Sequence, residues 1–121
     1  MPIVQIEIIL RPNEVVRKDL AAKLAGELGK IFHSAKGETW VKVQWLLLEQ
    51  YAENDEPQGS IFPVFVSILK STLPPPDKIQ QEVDKLTHAT AQICGRPTEN
   101  VHVMYEPEGK GRVSFGGKMV R

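Results

Sequence analysis

The sequence predicts an α+β fold: a duplicated β-α-β unit forming a four-stranded mixed sheet, with two helices on one face. Three observations predict it. Short apolar runs of strand character bound each half of the chain, an amphipathic stripe of helical spacing lies between them, and the two halves repeat at almost one spacing.

Ile3 to Leu10 reads as the first strand. Val4, Ile6, Ile8 and Leu10 share one face, while Gln5 and Glu7 lie on the other beside Ile3 and Ile9. Arg11-Pro12-Asn13 punctuates the chain, with Asn13 placed as a helix N-cap and Glu14 in the favourable first turn. Val16, Leu20, Leu24, Leu28 and Ile31 then recur at helical spacing, a one-sided stripe suited to lying on a sheet. Lys36-Gly37 ends this helix, and Thr39 to Glu49 reads as a second strand, β-branched and aromatic in its first half.

Tyr51 to Ser60, rich in Asn, Asp, Pro, Gly and Ser, is a loop. Phe62 to Leu69 is a third strand, with Pro63 near its beginning, where a missing N–H is tolerated. Pro74-Pro75-Pro76-Asp77 opens a second helix whose stripe is Ile79, Val83, Leu86, Thr90 and Ile93. Gly95 stops it, Arg96-Pro97 turns, and Val101 to Glu106 is a fourth strand. The glycine-rich tail holds one apolar piece, Val113-Ser114-Phe115, read as a small hairpin.

The halves match. Leu10 to Val41 spans 31 positions and Leu69 to Val101 spans 32, across equivalent strand–helix–strand units. We therefore read residues 1–121 as a single domain with internal repeats at about 2–50 and 61–110 and a tail at 111–121. Parallel strands joined by a crossover helix take the right-handed β-α-β geometry. The sheet face away from the helices, with Gln5, Glu7, Lys42 and Gln44, is half polar and must meet water or another subunit.

Composition narrows the function. Fifteen Lys plus Arg balance fifteen Asp plus Glu, so no basic excess points to nucleic acid or to a polybasic membrane contact. The longest apolar run, Trp45 to Leu48, is far too short to span a bilayer, and the first residues lack the pattern of a signal peptide. A lone cysteine, Cys94, excludes an internal disulfide framework and a cysteine-rich zinc site. The expectation is a small cytoplasmic protein.

The most pointed local feature is Pro2. A small second residue permits removal of the initiator methionine, which would leave Pro2 with a free secondary amine at the start of a buried strand. Apolar burial and nearby cations both lower such an amine's pKa toward neutrality, where a base is most useful for proton transfer. Pro-Ile-Val-Gln-Ile-Glu-Ile at residues 2–8 resembles the opening of the tautomerase superfamily. The closing run from Glu99 through Val101, Tyr105 and Glu106 to Ser114-Phe115-Gly116-Gly117-Lys118 is similar to that family's last core strand and tail. The doubled unit over nearly the whole chain resembles its long, two-repeat members, among them macrophage migration inhibitory factor, malonate semialdehyde decarboxylase and the dehalogenases, whereas 4-oxalocrotonate tautomerase typifies the short ones.

The resemblance implies a homotrimeric, cofactor-free isomerase. Pro2 would act as general base and then acid in keto–enol interconversion of a small carboxylate substrate, with cations holding the carboxylate and steadying the enolate. It places Arg11, Lys36, Lys70 and His102 as substrate-binding residues and implies no metal. Two departures bear on specificity. Met104 stands where the migration inhibitory factor has a substrate-binding asparagine. Lys42 stands where 4-oxalocrotonate tautomerase has a carboxylate-binding arginine, and it lacks the planar fork. The alternatives are a hydratase, dehalogenase or decarboxylase acting on a short unsaturated or β-keto acid, and a non-catalytic trimeric relative. No acidic residue stands out as the water-activating group of the hydrolytic members. Cys94 reads as a small buried residue, His33 and His88 as structural or exposed, and Trp40 and Trp45 as lying on opposite faces of the second strand.

Overall fold

The computed structural model describes residues 1–121. Its elements are β1 (Ile3–Ile9), α1 (Leu20–Ile31), β2 (Trp40–Leu46), β3 (Val64–Leu69), α2 (Pro76–Cys94), β4 (Val101–Tyr105), and a small hairpin of β5 (Ser114–Phe115) and β6 (Lys118–Met119). The main sheet has the order β2-β1-β3-β4, with β1–β2 and β3–β4 parallel and the central β1–β3 pair antiparallel. The sheet is therefore mixed, as expected. Ile3 pairs with Trp40 and Val64 with Val101, an offset of 37 residues in both halves. Identical register offsets make the repeat a property of the backbone as well as of the hydrophobic pattern.

The core lies between the sheet and the helices. Val4, Ile6 and Ile8 from β1 and Val64, Val66 and Ile68 from β3 meet Leu20, Leu24 and Leu28 from α1 and Leu86 from α2, all essentially inaccessible to water. Each such side chain contributes about 1.5–3 kcal/mol relative to exposure. Trp45 packs against this core, while Trp40 points to the other face, is half exposed, and meets Phe115 edge-on at 5.2 Å between ring centroids. The hairpin turns through Gly116 and Gly117, both at positive φ, the backbone that a two-residue hairpin turn demands. Gly95 ends α2 in the left-handed conformation at φ +68°.

The start of α1 differs from the sequence expectation. Asn13 is not an N-cap: it sits in a turn at φ +62°, and the helix begins six residues later, after Asp19. Val16 is consequently exposed instead of joining the buried stripe. A tertiary interaction overrides the local signal. The Glu14 carboxylate is taken by Arg96, whose Nη1 and Nη2 donate to it at 2.8 and 2.7 Å, and by the Arg11 backbone N–H. Arg96 also donates to the carbonyls of Ile9, Phe62 and Cys94. One buried guanidinium thus ties together the end of β1, the approach to β3 and the end of α2. The second strand is shorter than expected, because residues 48–50 form a 3-10 turn instead of extending it.

Candidate active site

Pro2 is buried at the edge of the core, one residue before β1, and its carbonyl accepts a hydrogen bond from the Trp40 backbone N–H at 3.0 Å. Carrying the Ile3–Leu69 and Ile3–Trp40 pairings one residue further sets Pro2 between Lys70 and Thr39. Strand alternation puts all three on the helix-facing side, in line with Val4, Ile68 and Val41. Met1 runs on from Pro2 toward the tail. A Cβ built on Gly109 would lie only 2.9 Å from the Met1 methyl carbon, so the absence of a side chain there lets Met1 lie against the tail beside Leu69 and Val113.

Lys70 is the best-defined cation at this end of the sheet. Its side chain is 19% exposed, its Nζ donates to Glu82 Oε1 at 2.9 Å, and it rests over the Phe32 ring at 5.1 Å from the centroid. The other oxygen of Glu82 accepts the Tyr105 hydroxyl at 2.5 Å. Burial, and then the Glu82 carboxylate, push the Tyr105 phenol above its ordinary range, so it remains a hydrogen-bond donor. A groove of about 510 Å3 opens over this chain of groups, lined by Phe32, Lys70, Leu73 and Glu82, with Lys78 and Lys85 at its exposed rim.

Residues singled out in the sequence divide between two ends and one face. Lys36 is exposed in the turn before β2, at the same end as Pro2 and Lys70. Arg11 lies at the opposite end, roughly 30 Å from Pro2 along the strand at 3.3 Å per residue. There it donates to the Gly95 carbonyl at 2.8 Å and pairs with Glu14 at 3.5 Å. His102 lies on the face away from the helices, exposed and packed on Phe65 at 5.5 Å. Within one chain, then, Arg11 and His102 are not brought to Pro2. Glu82 and Tyr105 were not singled out in the sequence. Tyr105 follows the inward alternation of Val101 and Val103, and Glu82 borders the stripe of Ile79, Val83 and Leu86, so each could be placed on the right face, but nothing in the sequence joins them to Lys70.

Elsewhere, a depression of about 630 Å3 between α1 and α2 is lined by Arg17, Lys23, Glu27 and small residues and lies away from Pro2. Cys94 is buried and its thiol is pushed up to about 11, chiefly by burial, so it is no nucleophile at neutral pH. No three His, Cys, Asp or Glu side chains are grouped to hold a metal ion, and no helix is long and apolar enough to cross a membrane.

No family model matches the sequence, and no curated protein matches it. Solved structures do match in shape. A macrophage migration inhibitory factor from Oncomelania hupensis superposes with a TM-score of 0.77 at 12% identity, covering 100% of this chain and 83% of that one. A fused 4-oxalocrotonate tautomerase, a symmetric trimer, gives 0.78 at 9% identity, covering 98% and 94%. A malonate semialdehyde decarboxylase inhibited by 3-bromopropiolate gives 0.69 at 12% identity, covering 94% and 88%. At such identities the likeness is one of fold, and it extends over the whole chain: this protein has the fold of the tautomerase superfamily.

Proposed function

We propose that this chain, once Met1 is removed, is a cofactor-independent tautomerase-type isomerase that interconverts keto and enol forms of a small carboxylated substrate. The observation that carries the reading is the burial of Pro2 on the helix-facing side of the central strand, in register with Lys70, which lines the groove although Pro2 itself does not. A free prolyl nitrogen there can take the enol O–H proton and return a proton to the neighbouring carbon, so one group serves as base and then acid. Lys70 supplies positive charge where the substrate carboxylate or the developing enolate lies. With Met1 in place the nitrogen is an amide, without useful basicity, and this chemistry is closed.

The working form in this reading is a homotrimer. The half-polar sheet face is only partly covered within the chain: Phe115 and Tyr51 reach Trp40 and Phe65, while Trp40 and Met104 remain half exposed. Assembly is also the route by which Arg11 or His102 would approach the Pro2 of a neighbouring subunit. The ligand is a small carboxylate, without nucleic acid or membrane, and the site of action is the cytoplasm.

Ketonisation of phenylenolpyruvate, followed by loss of enol absorbance, tests the reading. Pro2→Ala is expected to lower kcat/KM by about 100-fold or more, the usual scale for a general base. Equal activity in the two proteins would sink the role of Pro2. A second reading, addition of water to a short unsaturated acid, gains some support from Glu82 beside Lys70. Both oxygens of that carboxylate already accept hydrogen bonds, which leaves it a poor base for water, so isomerisation is preferred.

A further inference from the structure

We propose that Glu82, held in place by Tyr105, sets the charge selectivity of the groove: it partly offsets Lys70, leaving donors for one ligand carboxylate only, and so selects a single carboxylate with an apolar tail over a short dicarboxylate. The inference rests on the isomerase reading for the identity of the groove as the substrate site, but its chemistry is separable from proton transfer at Pro2.

The inner end of the groove holds one cation and one anion in contact. Lys70 Nζ and Glu82 Oε1 are 2.9 Å apart, with side chains 19% and 14% exposed. Tyr105 anchors the second carboxylate oxygen at 2.5 Å, so Glu82 cannot swing away without leaving the phenol unpaired in a half-buried place. An ammonium has three donors and Glu82 takes one, which leaves Lys70 able to receive one ligand carboxylate. Phe32 lies beneath the ammonium, and Leu73 lines the same groove, so a flat apolar tail meets matching surface.

A second carboxylate within a few ångströms of the first faces Glu82 with no free cation to offset it. The remaining positive charges facing the groove, Lys78 and Lys85 on α2, are exposed at the rim, as is the His33 ring after α1. They draw acids toward the opening, but water and salt screen them, and a short diacid bound at Lys70 does not span to them. Repulsion by Glu82 scales with ligand charge. Removing it therefore favours a dianion by about twice the logarithm of the factor gained by a monoanion.

Binding of two inert acids, 3-phenylpropionate and succinate, reads this directly by isothermal titration or by amide shifts. The set comprises the wild-type protein, Glu82→Gln, Tyr105→Phe and Lys70→Gln, each checked for folding by circular dichroism. In the wild type, 3-phenylpropionate is expected to bind more tightly than succinate, and Lys70→Gln to weaken it. Glu82→Gln should tighten succinate by at least about tenfold and 3-phenylpropionate by a clearly smaller factor. Tyr105→Phe, which frees the carboxylate to move, should shift the ratio the same way to a lesser degree, and it carries the test if Glu82→Gln misfolds. An unchanged ratio in the folded variants, tighter succinate binding by the wild type, or no binding of either acid would overturn the proposal. A shifted ratio in a protein with no Pro2-dependent ketonisation would uphold the selectivity and sink the isomerase reading alone.

Discussion

Replacing Glu14 with Gln tests the tie that shapes the far end of the molecule. Arg96 has a side chain only 2% exposed, and Glu14 provides its counter-charge at 2.7 Å with a side chain 19% exposed. Burial by itself would raise the Glu14 carboxyl. The hydrogen bonds from Arg96 and the Arg11 backbone N–H, together with both guanidinium charges, outweigh it and hold the group at about 2 against an ordinary 4.5. That depression corresponds to about 3 kcal/mol of stability at about 1.4 kcal/mol per unit. The folded-state pKa is the lower one, so the contribution is present in full above the unfolded value near 4.5. It fades as pH falls through 4.5 toward 2. Glu14→Gln should therefore cost about 3 kcal/mol at pH 7, the lower end of what a buried pair loses with one partner. With a urea m-value of about 1.5 kcal/mol/M, the unfolding midpoint should drop by roughly 2 M. At pH 2.5 the gap between the proteins should shrink to about a quarter. Both are compared at one protein concentration, since assembly adds a mass-action term. A gap that stays constant from pH 7 to pH 2.5, or is absent at pH 7, would refute the reasoning.

Three further outcomes follow from the same structure. Thr90 Oγ1 is fully buried with no hydrogen-bond partner, so Thr90→Val should stabilise the protein by about 1 kcal/mol and raise Tm by roughly 3–5 °C. Gly95→Ala forces a side chain onto a left-handed residue and brings its Cβ to 3.3 Å from Arg11 Nη2, which should cost about 1–2 kcal/mol in urea unfolding. Phe115→Ala removes the edge-on partner of Trp40, at a cost of about 0.5–1.5 kcal/mol, and should red-shift tryptophan emission as the indole gains water.

The sequence was most legible where one period dominated. The alternation of Val4, Ile6 and Ile8 fixed the inner face of β1, and Leu20, Leu24 and Leu28 fixed the buried stripe of α1, because a sheet face and a helix stripe each bury by spacing alone. Gly95 was legible as a stop because a left-handed residue costs glycine nothing. The start of α1 was not. Asn13-Glu14 carries a sound local capping signal, but Arg96, 82 residues away, claims the Glu14 carboxylate, and no local pattern reports such a partner. At the candidate site, Pro2 and Lys70 were legible as the ends of paired strands. Their link to Glu82 and Tyr105 was not, because it depends on how α2 docks over β3 and β4. Resemblance alone points to Arg11 and His102, and a single chain holds them elsewhere, Arg11 on the Gly95 carbonyl that follows α2 and His102 on Phe65.

The central claim is that the Pro2 nitrogen moves the proton, and Met1 offers a control more direct than any substitution. Two preparations that differ only in Met1, distinguished by intact mass, should be assayed side by side for phenylenolpyruvate ketonisation. The Met1-free protein is expected to turn over the enol, and the Met1-bearing protein to fall to the uncatalysed rate. Equal rates in the two preparations would contradict the claim, because an amide nitrogen cannot do the work of an amine.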